Sequence, residues 1–229
     1  MIALVVLCLA AAPPLLSSDS VSASPASTAA LPAGTYRLEV RVVAVTELPL
    51  LGAQQSITTT LSHAVVDDQG AITATACAIN TRAPGFSTRM PPSSIRSMPP
   101  AHFTFVRGSG DTWQGDMGVG RLGFRGNGAL PENADDPRVR DDDGDGEPGL
   151  RVELLGPLGT HVIQVVAQGH TVLLASVDVD GAQGRLQIRS QERVLSGLPM
   201  GPTGPSVIDT DHSRFRLSPV NAASCKDLR

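Results

Sequence analysis

Aromatic side chains are scarce in this chain: one Trp, one Tyr and five Phe among 229 residues, 3% of the whole. An outer-membrane barrel carries a girdle of aromatic residues at each interface, and so few rings do not furnish two of them. Lysine is rarer still, with Lys226 alone against seventeen Arg. Those arginines are scattered, so no basic stripe exists to follow a nucleic-acid backbone, and no nucleic-acid partner is expected. Alongside abundant Ala, Gly and Pro, the imbalance reads as the codon bias of a GC-rich bacterium rather than as function.

Long hydrophobic runs are also missing. The stretch from Met1 to Ala12 is apolar but ends at Pro13 and Pro14, short of the roughly 20 residues a membrane-spanning helix needs. Followed by the small residues of Val21 to Ala26, it reads as a secretory signal peptide over residues 1–24. Residues 25–33 read as a Ser/Ala/Pro-rich disordered tether. The mature chain is then expected to be secreted or periplasmic, with no transmembrane segment. Two of the three cysteines, Cys77 and Cys225, lie beyond the leader, and in an oxidising compartment they are expected to form a disulfide.

What the chain does have is period two. Tyr36, Leu38, Val40 and Val42 share one face of a strand, with Arg37, Glu39 and Arg41 on the other. Asp67-Asp68-Gln69-Gly70 reads as a turn joining Ser56–Val66 to Ala71–Ile79. Further strands are expected at 102–107, 113–124, 150–155 and 160–167. A Gln168-Gly169 turn would lead into 170–178, with two more strands at 185–195 and 213–217. Pro91 to Pro100 has room for one or two helical turns. Residues 34–229 are therefore expected to form one all-β antiparallel domain of about 8–10 short strands. The consecutive hairpins favour an up-and-down, lipocalin-like barrel over a sandwich.

Charge is concentrated in one place. Between Glu132 and Glu147 stand eight acidic residues and two basic ones, Arg138 and Arg140, giving that segment −6 in a chain whose formal total is −4. The remainder is thus +2. Such crowding of like charge is unfavourable unless water, salt or a cation offsets it. Within the expected loop at 126–149, Asp141, Asp143 and Asp145 alternate and Gly146 follows at once. A hard cation takes six to eight oxygens, and alternate residues of a tight loop can turn their carboxylates toward one point. Gly146 permits the sharp turn, and the carbonyl of Glu147 is placed to give the next oxygen. The expected metal ligands are Asp141, Asp143, Asp145 and Glu147, and the expected cofactor is Ca2+.

Asp141 to Gly149 resembles the calcium loops of EF-hands, dockerins, thrombospondin type 3 repeats and the integrin-like β-propeller. The likeness stops there. The twelfth position is Val152, where an EF-hand has a bidentate Glu, and Pro148-Gly149 leads into the alternating Leu150-Arg151-Val152-Glu153-Leu154 rather than a helix. Missing ligands are expected from Glu132, Asp135 or Asp136, from backbone carbonyls, or from water. The five histidines show no zinc spacing, and no G-x-S-x-G, HExxH or phosphate loop is present. Asp178-Val179-Asp180-Gly181 reads as a hairpin turn, Asp209-Thr210-Asp211 as a further acidic pair, and Trp113 as a core or rim aromatic. The expectation is an exported, non-enzymatic β domain with a structural calcium site, binding a small molecule, a glycan or an envelope partner. The rival reading is a secreted calcium-dependent hydrolase, which needs a carboxyl of strongly raised pKa in a cleft.

Overall fold

The computed structural model describes residues 31–48, 52–108, 112–157, 159–197 and 206–228. The expected leader and the first part of the tether lie outside them. Leu31, at the tether's end, is buried, and the Tyr36 hydroxyl donates to the Pro32 carbonyl, so these residues pack with the domain.

Ten strands follow: β1 (Gly34–Leu48), β2 (Gly52–Val66), β3 (Ala71–Ala83), β4 (Phe86–Arg89), β5 (Ala101–Arg107), β6 (Trp113–Leu122), β7 (Leu150–Gly156), β8 (Gly159–Asp178), β9 (Gly181–Ser196) and β10 (Ser206–Pro219). One helix, α1 (Pro92–Ser97), and a 3-10 turn at Cys225–Leu228 complete the described elements. All ten belong to one sheet, in the order β2-β1-β10-β9-β8-β6-β5-β3-β4-β7, and their pairings are antiparallel.

Additional β2–β3 and β8–β7 pairings bring the sheet back on itself. Two long strands make this possible, because each serves two short neighbours on one side. The start of β3 pairs with β5 and its end with β4. The start of β8 pairs with β7 and its middle with β6. The result is an antiparallel, partly ring-like sheet, as the hairpin spacing implies, with β4 and β7 inserted between β3 and β8 at one end.

Alternation decides what faces inward. Tyr36, Leu38, Val40 and Val42 of β1 are buried, as the pattern requires, in one cluster with Phe103, Phe105, Met117, Leu150, Val152, Ile163, Leu173, Leu186 and Phe215. Phe105 stacks on Phe215 at 6.2 Å between ring centroids and meets Phe103 edge-on at 5.6 Å. Opposite Phe105 on β6 stands Gly115, where a Cβ would lie 2.9 Å from the Phe105 ring. The glycine vacates the space that the ring fills. Trp113 packs half-buried against the same cluster.

One expectation fails here, and one strand was not foreseen. Gln168-Gly169 does not turn: β8 runs straight through, with Gly169 opposite Gly120 of β6 and Ser190 of β9. Ladders on both sides outweigh the local turn preference. β4 had no separate signal, since four residues carry too little periodicity to stand out. The Asp67–Gly70 hairpin and the Asp178–Gly181 turn agree with the reading; Gly70 (φ +79°) donates to the Asp67 carbonyl at 3.0 Å.

Cys77 and Cys225 form the disulfide. Cys77 is the bulged residue of β3, for Ala76 and Ala78 pair with Ser62 and Leu61 while Cys77 has no partner on β2. A bulge re-aims a side chain, and this one joins the C-terminal turn, whose Leu228 is buried. The bond spans 148 residues, so its main effect is on the entropy of the unfolded chain. Replacing both cysteines with serine is expected to lower unfolding free energy by roughly 3–5 kcal/mol, read as a reduced denaturant midpoint. An unchanged midpoint would show the C-terminus to be held by packing alone.

Candidate metal centre

The acidic loop connects β6 to β7 and lies on the outer face of β8. Gly123 begins it with φ +71°, and a Cβ there would sit 2.6 Å from the Val165 carbonyl oxygen, so the chain passes too close to β8 for any side chain. A short stem follows. Arg125 N–H donates to Arg138 O and Arg140 N–H to Gly123 O, each at 2.9 Å, and Phe124 bridges Val139. Phe124, Leu130 and Val139 pack on Val166 of β8, with Leu195 of β9 at the edge. That small second core explains why Ile163 to Ala167 are buried on both faces of the strand.

Above the stem, Arg138 clamps the loop. Its guanidinium donates to both Asp136 carboxylate oxygens and to the Ala129 carbonyl. The Arg138 hydrogen bonds hold the Asp136 carboxyl below the usual carboxylate range. Arg193 of β9 donates to the Pro131 carbonyl at 2.9 Å, tying the loop's far side to the sheet.

The acidic turn itself is built around Asp141. Its Oδ1 accepts the N–H groups of Gly144 (2.7 Å) and Asp145 (3.1 Å), and its Oδ2 that of Gly146 (2.9 Å). Gly144 and Gly146 are left-handed, at φ +71° and +90°, which lets the chain curl about one carboxylate. Partial burial would raise the Asp141 pKa, but the three N–H bonds outweigh it and leave it lowered. Asp143 points to the sheet: its Oδ2 accepts the Ser94 hydroxyl of α1 and the Arg151 N–H of β7 at 3.1 Å. Asp145 accepts the Glu147 N–H on Oδ1 and the Gln164 side-chain amide on Oδ2, both at 2.9 Å.

These contacts bring three carboxylates together. Asp141, Asp143 and Asp145 each offer an oxygen, and the three lie within 4.8 Å of one another. Two ligands of one calcium ion, each at roughly 2.3–2.6 Å from it, stand at most about 5 Å apart, so a single cation fits among them. Asp143 Oδ1 is buried and has no hydrogen-bond partner among the described residues. An anionic oxygen in that position is costly unless a positive charge meets it. The residues present can hold a metal ion.

Other expected contributors stand elsewhere. The Glu147 carboxylate is exposed and outside the converging group, so any ligand from that residue is its backbone carbonyl. Glu132, Asp135 and Asp136 do not join either, and neither do Asp209 and Asp211; Asp136 is taken by Arg138, and Asp209 accepts the N–H groups of Asp211 and His212. Asp142 turns the other way. Burial raises its carboxyl pKa, against the opposing pull of the Gly123 N–H that it accepts at 3.0 Å and of nearby Arg125.

Two partners escaped sequence reasoning. Ser94 sits in a Pro-flanked turn with no acidic neighbour, so nothing local links it to the loop. Gln164 carried a signal, as the one polar residue within Val162-Ile163-Gln164-Val165-Val166.

The loop should depend on its apolar anchor. Phe124→Ala is expected to speed proteolysis within 126–149 while the far-ultraviolet circular dichroism of the sheet stays unchanged; cleavage at the wild-type rate would mean that packing on Val166 does not hold the loop down. Comparison with family models, with curated proteins and with solved structures found no match for this chain.

Proposed function

We propose that this chain is an exported β-sheet protein whose acidic loop is closed by one structural calcium ion. The observation that carries the reading is the convergence of one oxygen each from Asp141, Asp143 and Asp145, with Asp143 Oδ1 buried and without a hydrogen-bond partner among the described residues. An all-oxygen, carboxylate-rich donor set suits a hard cation. Calcium is preferred over magnesium because it accepts irregular geometry and more ligands, whereas magnesium keeps several waters and an octahedron. The Glu147 carbonyl and water complete the shell in this reading.

The role is that of a clamp. Asp143 is joined to α1 and β7, Asp145 to β8, and Asp141 to the turn itself, so one ion would hold α1 and two strands of the sheet to the loop. Export is supported by the Cys77–Cys225 disulfide, which persists in oxidising compartments. The clamped surface would serve a binding protein, with a small molecule, a glycan or an envelope component as ligand, rather than a catalyst. Asp142, the one loop carboxyl with a raised pKa, is an internal acceptor for Gly123 and so lends the hydrolase reading no support.

Calcium at a hundredfold excess over its Kd should stabilise the fold by roughly 2.7 kcal/mol. A chelator is therefore expected to lower the melting temperature and to open the loop to protease, and Asp143→Ala to abolish both calcium effects. Identical melting with calcium and with chelator would rule the ion out.

A further inference from the structure

We infer that the outer face of β1, β10 and β9 is a docking surface for an acidic polysaccharide, a chain of sugar rings bearing carboxylate groups; the choice of a glycan rests on the reading of an exported binding protein above. Arginines that are scattered in the sequence meet on this face. Arg41 of β1 stands opposite Arg214 of β10, and Arg214 stands opposite Arg185 of β9. Neighbouring strands lie about 4.8 Å apart, so three arginines fall in one short row across the sheet. Along β9 the outward positions are Gln183, Arg185, Gln187, Arg189, Gln191 and Arg193 in strict alternation, all of them exposed. Arg37 and Arg216 extend the same face.

The fold itself does not account for this charge. Like charges directly opposite one another on a sheet are destabilising. The nearby acids are few: Glu39 pairs with Arg37, Asp209 with His212, and Asp211 stands 3.8 Å from Arg185. Two of the arginines have internal partners. Arg41 donates to the His212 carbonyl and Arg214 to those of Thr210 and Ser213, which steadies the bulge of β10. Arg189 and Arg216 make no hydrogen bond or ion pair among the described residues. The acidic loop does not neutralise them, for it meets β9 farther along, at Arg193 and Leu195.

The side chains select the partner. A guanidinium presents a planar fork of donors that matches a carboxylate, and it stays charged at any ordinary pH. A glutamine amide both donates and accepts, which suits sugar hydroxyls. Alternate residues of a strand stand about 6.7 Å apart, so an extended polymer laid along β9 would meet an amide and a guanidinium in turn. The rings on these strands, Tyr36 and Phe215, are buried on the inner side, and no Phe, Tyr or Trp projects from the described part of the face. Single-stranded nucleic acids are held by stacking on such rings, so the face fits a glycan better.

The test is binding of labelled hyaluronate, a carboxylate-bearing polysaccharide, to the full chain at about 0.15 M salt, with neutral dextran and DNA alongside. The wild type should bind hyaluronate, more weakly as salt rises, and should not bind dextran. Arg185→Gln combined with Arg189→Gln should weaken binding by about tenfold or more. Arg82→Gln combined with Arg96→Gln changes net charge equally but lies on β3 and α1, and it should leave binding unchanged. Equal weakening by both pairs would show net charge alone at work and overturn the assignment. So would failure of the wild type to bind hyaluronate, or DNA binding as tight as that of hyaluronate. Circular dichroism checks each fold; should the β9 pair unfold, Arg216→Gln on β10 probes the same face and should also weaken binding. None of these outcomes bears on the calcium clamp, whose own failure, identical melting with calcium and with chelator, would leave hyaluronate binding intact.

Discussion

The middle of β8 must be covered on both sides. Ile163 and Val165 face the ring's interior, Gln164 and Val166 face out, and all four are buried. A strand apolar on both faces at the surface of an open sheet would leave Val166 against water. The loop between β6 and β7 removes that exposure by laying Phe124, Leu130 and Val139 on it. Its path is then set by close backbone approach: Gly123 and Gly149 both pass near Val165, where a Cβ would lie 2.6 Å and 3.1 Å from the carbonyl oxygen.

Once the stem is pinned there, the acidic turn is brought against the sheet, and the charges have to be arranged. Some of the crowding is met internally. Arg138 takes Asp136, the Gly123 N–H takes Asp142, and three backbone N–H groups take Asp141. Asp143 and Asp145 are less completely served, since both are drawn toward the sheet and one Asp143 oxygen meets no donor among the described residues. The carboxylates that converge are those the stem holds nearest to β7, β8 and α1. Their placement follows from covering an apolar strand, and a cation is the natural counter-charge.

Parts of this were visible in the residues alone. The alternation of Tyr36, Leu38, Val40 and Val42 named its buried face correctly because β1 has partners on both edges and one face toward the interior. Asp67–Gly70 named its own hairpin because the turn is satisfied locally, by Asp67 and Ala71. The D-x-D-x-D spacing named three converging carboxylates, because curling about Asp141 uses N–H groups three to five residues away. Where partners were distant, local reading failed. The Gln168-Gly169 turn signal was overridden by ladders to β6 and β9, and of the upstream acids, plausible by proximity in sequence, Asp136 was taken by Arg138.

The sequence by itself determined an antiparallel β domain, its disulfide partners and a carboxylate-lined turn, because strand alternation, cysteine number and Asx-type turns are short-range or compositional matters. Only the tertiary structure decided that the sheet curls back through β2–β3 and β7–β8, that Cys77 is bulged from its strand, and that Ser94 and Gln164 stand at the acidic turn. Ser94 and Gln164 are 49 and 19 residues from the aspartates they bind. No periodicity carries information over such separations; the meeting is set by which apolar faces had to be covered, and that is a property of the packed chain.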